Sequence, residues 1–257
     1  MDIVACIKRV PDIPDFVQIA ASGQDIKRDT LIFKINDWDE YVLEEATQLK
    51  EKLGGTFTAV TVGHKECDDI LRRALAIGAD KAVRVDEDVT GKDSYVIAKI
   101  LSTLISSLSY DLVMFGMQSE DLGRGQLGAM VAEMLGIPHA TGITRLEVQD
   151  REARVSRELE GGTLELYTLK LPALVTIQTG INNPRYVSVA GVRKAREKEL
   201  RVMTPDELGI SRDTLAPMVK LEKLDLPPTG KGAEILSGSP EEAAEKLAAL
   251  LKSLGVF

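Results

Sequence analysis

Apolar segments of strand length alternate with segments of helical periodicity through the first half of this 257-residue chain. Short runs rich in Val, Ile and Ala occur near residues 3–7, 57–62, 81–85 and 112–115, and between them apolar residues recur every three or four positions. This alternation is typical of a mostly parallel sheet, because parallel strands need a crossover that usually contains a helix. The sequence therefore predicts an α/β, doubly wound fold with helices on both faces of the sheet.

Capping residues predict where the helices begin and end. The first long helix is predicted to stop at Gly54-Gly55, where a left-handed cap costs little, and the next helix is predicted to end at Gly78. Asp93 is predicted to cap the N-terminus of a third helix. Residues 17–35 are predicted to form a hairpin-like excursion.

A β-hairpin is predicted over residues 153–170. Residues 153–159 and 164–170 each alternate between apolar and polar side chains, and the intervening Glu-Gly-Gly-Thr at 160–163 supplies two glycines that accept positive φ. Pro172 then precedes a wholly apolar strand at 173–177.

A glycine-rich loop follows the strand at 112–115. It contains Gly-x-Gly-x-x-Gly at residues 123–128, but seven residues separate the strand from the first glycine. The dinucleotide-binding fingerprint needs that glycine directly after the strand, which argues against a nicotinamide dehydrogenase even though Glu147 lies near the spacing of a ribose ligand. Glycines before a helix N-terminus can still form an anion-binding nest, to which Arg124 can add charge. The loop is therefore predicted to bind a phosphorylated ligand.

Net charge and composition argue against several classes of function. The formal charge of −8 and a pI near 5.0 argue against nucleic-acid binding. Two cysteines and two histidines occur without metal-ligand or disulfide spacing, so no metal site is predicted, and no nucleophile–base pattern predicts a catalytic residue. An apolar strand directly after Met1 and the lack of an apolar run of about 20 residues lead us to expect no signal peptide and a soluble protein of the prokaryotic cytoplasm.

Regular periodicity weakens after residue 180. Prolines and glycines become frequent over residues 217–232, and Ser239-Pro240-Glu241-Glu242 then predicts the start of an amphipathic helix. Such a helix needs its own domain or a partner to cover its apolar side. We predict a nucleotide-binding domain at residues 1–210 and a C-terminal arm and helix at residues 211–257.

Several further motifs occur in the order and spacing of one known family. They are Lys8-Arg9-Val10, Asn36, the Ala-Leu-Ala-Ile-Gly-Ala-Asp run at 74–80, Asp111-Leu112-Val113, Gly116 with Gln118, the hairpin and strand at 155–176, and Asn183-Pro184-Arg185-Tyr186. In these motifs the chain resembles the electron-transfer flavoprotein beta subunit over roughly residues 2–210. The resemblance implies an adenine nucleotide alpha hydrolase-like fold and a heterodimer with an alpha subunit. It also implies an electron carrier, not a self-sufficient enzyme, between acyl-CoA-type dehydrogenases and a quinone-linked oxidoreductase.

The resemblance further implies a structural AMP in this chain and a redox FAD held mainly by the alpha subunit. The positions expected to bind AMP are Cys6, Asn36, Asp37, Trp38, Asp39, Val62, Gly116, Met117, Gln118, Ser119, Glu120, Asp121, Leu122, Gly123, Arg124, Gly125, Gln126 and Leu127. Cys6 is expected to contribute its backbone and not its sulfur. For Asn36 the sequence leaves open whether it contacts the ligand or only caps the following helix.

Two alternatives remain open. An electron-bifurcating, NADH-oxidising branch of the family holds a second FAD at the AMP position and is an enzyme. Asp121, Gln126 and Gly128 fit the loop patterns of both branches, whereas Ala129 departs from the bifurcating pattern and Met130 favours the AMP type. The other alternative is a stand-alone adenine-nucleotide-binding module of related fold, although such modules are shorter and lack the hairpin.

The resemblance also implies that residues 177–199 form a recognition loop for dehydrogenase partners. Its apolar anchor falls on Val189, and Arg193, Lys194 and Arg196 flank it. A short apolar anchor within a polar rim is the usual anatomy of a transient interface. The alternative is that Val189 packs inside the protein and the basic residues form an ordinary solvated helix face.

Overall fold

The computed structural model describes residues 1–13, 17–228, 230 and 232–256. Within these residues the strands are β1 (Asp2–Cys6), β2 (Arg9–Pro11), β3 (Phe33–Ile35), β4 (Thr56–Val62), β5 (Lys81–Val85), β6 (Leu112–Gly116), β7 (His139–Gln149), β8 (Glu152–Glu158), β9 (Leu164–Lys170), β10 (Ala173–Ile177) and β11 (Leu200–Met203). The helices are α1 (Asp37–Leu53), α2 (Asp68–Ile77), α3 (Ser94–Ser106), α4 (Leu127–Leu135), α5 (Val189–Ala195) and α6 (Pro240–Ser253). None of these helices combines the length and the apolar character that crossing a bilayer requires.

Nine strands form one sheet in the order β11-β5-β4-β1-β6-β10-β7-β8-β9. Every neighbouring pair from β11 to β7 is parallel, and β8 and β9 extend the sheet with antiparallel pairing. β2 and β3 form a separate two-stranded sheet. The predicted α/β, doubly wound fold is confirmed.

Two apolar layers cover the two faces of the sheet. On β1, Ile3 and Ala5 pack in the layer that contains α1 and α2, whereas Val4 and Cys6 pack in the layer that contains α3 and α4. Successive strand residues point to opposite faces, so a strand buried on both sides reads as a continuous apolar run. This explains why residues 3–7 lack the alternation of a half-exposed strand.

The direction of the chain across the sheet reverses between β1 and β6. From β1 the chain passes through α1 to β4 on one side, and from β6 it passes through α4 to β7 on the other side. β1 and β6 are paired neighbours, with Cys6 opposite Phe115. Open α/β sheets bind ligands beyond the carboxyl ends of the strands at such a switch point. The ends of β1 and β6 are therefore the expected place for a ligand.

The predicted helix ends and hairpin agree with the structure. Gly54 follows α1 with φ of 70°, Gly78 follows α2, and the Asp93 side chain accepts a hydrogen bond from the Val96 backbone at the start of α3. The turn between β8 and β9 contains Gly161 and Gly162, both with φ of 74°. The end of α1, the Asp93 cap and the hairpin turn depend on local sequence, which is why a local pattern predicted them. Gly78 differs, because its φ of 179° is extended and a Cβ atom there would collide with the Thr47 side chain of α1.

β2, β7, α5 and β11 were not predicted from the sequence. β7 pairs in parallel with β10 over its first half and antiparallel with β8 over its second half. Gly142, with φ of 65°, lies in β7 where the pairing with β10 shifts register, and the pairing with β8 shifts register just after it, between Ile143 and Arg145. A strand that changes partner along its length presents no single burial pattern, which accounts for the missing prediction.

The described chain divides into two compact units, Met1–Leu224 and a second one that begins at Asp225. Ile210 and Leu215 are buried in the core of the first unit. The second unit contains α6, which begins at Pro240 as predicted and has a capping box formed by Ser239 and Glu242. The domain division between residues 210 and 211 stays a prediction. Residues 229, 231 and 257 of the predicted arm lie outside the described residues.

The buried carboxylate of Asp93 joins α3 to the segment around residue 218. It accepts hydrogen bonds from the backbone N–H groups of Val96 (3.0 Å), Met218 (2.7 Å) and Val219 (2.9 Å). Although burial favours the neutral acid, these three donors hold the pKa of Asp93 below its usual range. Asp93 therefore acts both as a helix cap and as a tether for this segment.

We expect Asp93→Asn to lower the free energy of unfolding by about 1–3 kcal/mol at pH 7, because one amide oxygen cannot replace two carboxylate oxygens. Since the folded-state pKa is lowered, the advantage of Asp over Asn should be complete above a pH of about 4 and lost as the pH falls through the folded-state pKa. Denaturant unfolding at several pH values measures this difference. Asp213→Asn, at an exposed position, is the control. An equal loss at all pH values would contradict the assignment.

Candidate functional site

Three chain segments meet at the switch point between β1 and β6. They are Lys8, which follows β1, the turn Asn36–Asp39 that enters α1, and the loop from Gly116 to Gln126 between β6 and α4. Side-chain hydrogen bonds, three to backbone groups and one between Lys8 and Asp121, join all three segments. The residues predicted from the sequence in the last two segments are thus brought together.

Asn36 holds the loop in place. Its buried side chain donates from Nδ2 to the carbonyl oxygen of Gln118 (2.9 Å) and accepts at Oδ1 from the backbone N–H of Glu120 (3.0 Å). Asn36 occupies the N-cap position of α1, but its side chain makes no capping hydrogen bond. The alternative that Asn36 only caps the helix is therefore wrong, because both polar ends of its amide are used by the loop.

Asp39 lies beneath the same loop. Its Oδ2 accepts from the backbone N–H of Lys8 (2.7 Å), and the Asn36 side chain and the Gly116 backbone also hydrogen-bond to its carboxyl group. Burial raises the pKa of Asp39 to about 7, against the opposite effect of these donors and of the Lys8 charge. A Cβ atom at Gly116 would collide with the Asp39 carboxylate and the Trp38 side chain, so this position requires glycine.

Two lysines neutralise the acidic residues of the loop. Lys8 Nζ lies 2.6 Å from Asp121 Oδ1 and 3.2 Å from Ser119 Oγ. Lys34 Nζ lies 2.9 Å from Asp37 Oδ1 and 3.2 Å from Glu120 Oε2. From the sequence, Lys8 was recognised only as part of a family motif and Lys34 was not predicted, although the position of Lys8 just beyond the carboxyl end of β1 was a usable signal for a site residue. These carboxylates are therefore paired with lysines of the same chain, and the backbone of the loop remains available to a ligand.

The second half of the loop is open to solvent. Gly123 and Gly125 have φ near 60°, and a Cβ at either would lie no closer than 3.8 Å to another described residue. Gln126, at the N-cap position of α4, makes no side-chain hydrogen bond to the helix. Arg124 is exposed and forms no ion pair with any residue that the structure describes. The start of α4 thus has uncapped N–H donors beside a cation, an arrangement that binds anions.

Gly128, unlike the open glycines at 123 and 125, has a packing role. A Cβ atom there would collide with the Thr176 side chain of β10, so glycine permits the close approach of α4 to the sheet. In the dinucleotide fingerprint the third glycine serves the same purpose. Glu147, the distant candidate for a ribose ligand, lies in the antiparallel half of β7 opposite Arg154.

The remaining predicted positions lie around this centre. Cys6 is buried in the core, and burial, with a smaller effect of the Asp39 charge, raises the pKa of its thiol well above the usual value. The thiol is therefore protonated and unsuited to nucleophilic chemistry. Val62 ends β4, the strand beside β1. Trp38 donates from Nε1 to Gln178 Oε1 (2.8 Å), which connects the site to the end of β10.

Comparison with known proteins assigns this architecture to a family. The sequence model described as Electron transfer flavoprotein domain matches residues 26–208. The electron transfer flavoprotein subunit beta of Bacillus subtilis is 39% identical over 255 residues, which cover 98% of each chain. The subunit of the same name from Methylophilus methylotrophus is 34% identical over 96% of each chain, and that from Homo sapiens is 31% identical over 98% of this chain and 97% of its own.

This chain belongs to the electron transfer flavoprotein beta subunit family. The resemblance noted from the motifs is therefore confirmed. Membership also supports a role in electron transfer, since the relatives are named for that role.

The segment that the sequence predicts to recognise partners, residues 177–199, contains α5. Val189, the first residue of α5, is 76% exposed, so the alternative that it packs in the core is wrong. Arg193, Lys194 and Arg196 are also exposed. The assignment of these four residues to partner binding stays a prediction.

Buried acids of α1 fix the chain just before α5. Arg185 donates from Nε (2.8 Å) and Nη2 (3.0 Å) to the buried carboxylate of Glu44, and from both Nη atoms to Glu51. Asn182 Nδ2 donates to Glu45 Oε2 (2.9 Å). These bonds hold the Asn-Pro-Arg motif against α1, which explains its resemblance to the family motif in physical terms.

Asp39→Asn should change how stability depends on pH. Because the folded-state pKa of about 7 lies above the usual value near 4, the unfolded chain loses this proton at lower pH, and Asp39 costs increasing stability as the pH rises from about 4 to 7. Asn does not titrate. The unfolding free energy of wild type relative to Asp39→Asn should therefore fall by a few kcal/mol over about that range and stay constant above it.

Denaturant unfolding of both proteins across this pH range measures the effect. Asp37→Asn is the matched control in the same turn, where the side chain is exposed. If the wild-type and Asp39→Asn profiles ran parallel, Asp39 would not be the buried acid that we describe.

Proposed function

We propose that this chain is the beta subunit of a heterodimeric electron carrier. In this role it accepts electrons from acyl-CoA-type dehydrogenases and passes them to a quinone-linked oxidoreductase, together with an alpha subunit that holds most of the redox FAD. Family membership and the loop at the switch point, with its uncapped helix N-terminus, support this assignment. The FAD supplies the electron-carrying chemistry, and the beta subunit contributes the binding of the nucleotide and the orientation of the partner.

An AMP molecule at the Gly116–Leu127 loop is the nucleotide that we propose for this chain. The backbone N–H groups at the start of α4 and the Arg124 side chain suit its phosphate. The open glycines at 123 and 125 permit the close approach of a ribose or phosphate to the backbone. Asn36, Asp39 and Lys8 hold the loop in place through hydrogen bonds within the protein, and contact of Asn36 and Asp39 with the nucleotide stays a prediction.

Two exposed apolar surfaces support an alpha-subunit partner. Leu164 and Leu166, two residues apart on the edge strand β9, are both exposed on one face. No residue of α6 is buried, and Leu247, Leu250 and Leu254 are exposed along it. Exposed apolar groups at an edge strand or on one side of a helix mark surfaces that a partner covers.

Gly125→Val should remove the bound nucleotide. At φ of 60° a β-branched residue is strained, so the loop must change conformation to accept it and the cradle at α4 is lost. We expect the nucleotide content to fall several-fold while the fold persists with a loss of about 1–3 kcal/mol. The measurement is chromatography of the nucleotides released when the purified complex is denatured.

Gly209→Val provides the matched control, because Gly209 has φ of 72°, equally open surroundings and a position outside the loop. Full nucleotide content in Gly125→Val would argue against the loop. The wild-type chromatogram also separates the alternatives, since one FAD with one AMP supports the carrier and two FAD with no AMP supports the bifurcating type.

Val189→Asp should weaken docking of the dehydrogenase and leave the flavin spectrum and the heterodimer unchanged. A carboxylate forced into an apolar partner pocket is desolvated without a matching cation, which should cost a few kcal/mol and raise the apparent KM for the complex at least about tenfold. Steady-state reduction of the complex by a reduced acyl-CoA-type dehydrogenase measures this.

Val202→Asp, at an exposed valine of β11 outside residues 177–199, is the control for adding a surface charge. Substitution of Arg193, Lys194 and Arg196 should instead change the encounter rate and its salt dependence, since charges at the rim of an interface act mainly on association. An unchanged KM for Val189→Asp would place the anchor elsewhere.

A further inference from the structure

The position of α5, which carries Val189, depends on α2. α5 has only seven residues, too few to be stable as an isolated helix in water. Its last residue, Ala195, is buried in the core that also contains Leu71 and Leu75 of α2. The direction in which Val189 and Val192 project from the surface is therefore set by the contact between the two helices.

Two cations connect the ends of these helices reciprocally. Arg72, in α2, donates from Nη1 to the carbonyl oxygens of Ala195 (2.7 Å) and Lys198 (3.0 Å). Lys198, just beyond α5, donates from Nζ to the carbonyl oxygens of Leu75 (2.9 Å) and Ala79 (2.6 Å). The last carbonyl groups of a helix lack partners within it, and a cation there also interacts favourably with the helix dipole. Each helix thus supplies a C-terminal cap for the other.

The two helices α2 and α5 are also in close contact at the middle of α5. A Cβ atom at Gly191 would lie 2.6 Å from the carbonyl oxygen of Ala76 in α2, so the two backbones approach as near as glycine allows. Ser188 Oγ accepts from the Gly191 backbone N–H (3.0 Å) and caps the N-terminus of α5. α5 is therefore fixed at its start, its middle and its end.

We propose that Arg72 and Lys198 are positioning residues for dehydrogenase docking. They hold α5 rigidly against α2, so the exposed valines at 189 and 192 form a preformed anchor that the partner can engage without first ordering the helix. The donor nitrogen of Arg72 is directed at two carbonyl groups, so its effect on docking passes through α5. This inference rests on the docking role proposed above for Val189.

The main test compares Arg72→Met with wild type in the complex with the alpha subunit, using reduction by a reduced acyl-CoA-type dehydrogenase. The apparent KM should rise about 3- to 10-fold, because a loosened helix must be ordered during docking, while the limiting rate and the flavin spectrum stay unchanged. Arg72→Lys, which keeps a donor and a charge, should recover part of the loss. Lys198→Met should reproduce the rise in KM and provides a second variant if Arg72→Met folds poorly.

Arg73→Met is the matched control. Arg73 neighbours Arg72 on α2, but its Nη2 pairs with Glu40 Oε1 (2.8 Å) in α1 instead of capping α5. The apparent KM measured with Arg73→Met should equal that of wild type. The fold-change for Arg72→Met should also be the same between about 50 and 300 mM salt, whereas a residue that attracts the partner by charge would lose its effect as screening increases.

Hydrogen exchange separates the inference from the docking role itself. Arg72→Met should speed exchange of the amides at residues 192–197, and an unchanged KM with unchanged protection of these amides would overturn the positioning role. If Val189→Asp raises KM while Arg72→Met and Lys198→Met do not, the positioning role alone fails. If Val189→Asp has no effect, the docking role and the inference fail together.

Discussion

The pairing of buried polar groups at the end of β1 is the interaction on which the site depends. Asp39 accepts from the backbone of Lys8, and Asn36 uses both ends of its amide on the loop that follows β6. An unpaired polar group at this depth would cost a few kcal/mol, so these groups favour one arrangement of the two strand ends and the loop. The shape of the loop is a consequence of satisfying these groups, before any ligand contributes.

The charged side chains of the site are also paired within the protein. The chain carries a formal charge of −8, yet the acidic residues around the switch point are paired with Lys8 and Lys34. Pairing with lysines reduces the negative charge of the loop, which favours the anion binding that we propose for the start of α4. Arg124, which is exposed in the open half of the loop, can add its charge to the proposed phosphate site.

The proposed docking segment combines a rigid base with an exposed tip. Arg185 is held by Glu44 and Glu51 of α1, and α5 is capped by Arg72 of α2, while Val189 remains exposed. Function is often carried by loops that a rigid scaffold positions, since recognition then needs little ordering on binding. α1 and α2, which pack on one face of the sheet, thus hold the docking segment in place as well as forming part of the core.

The sequence by itself determined the features that local chemistry dictates. The α/β order of the elements, the helix end at Gly54, the cap at Asp93 and the β8–β9 hairpin all follow from periodicity and from the backbone preferences of single residues. The family motifs also led to the correct family, because they record residue type and spacing together.

Only the tertiary structure decided which residues meet. The use of the Asn36 amide by the loop, the pairing of Lys8 with Asp121 and the capping of α5 by Arg72 each join residues far apart in sequence. No local pattern encodes such pairs, since each depends on the strand order that brings the segments together. β7 escaped prediction for the same reason: its two halves pair with different strands, and their burial is set by those partners. Its own residues show no single periodicity.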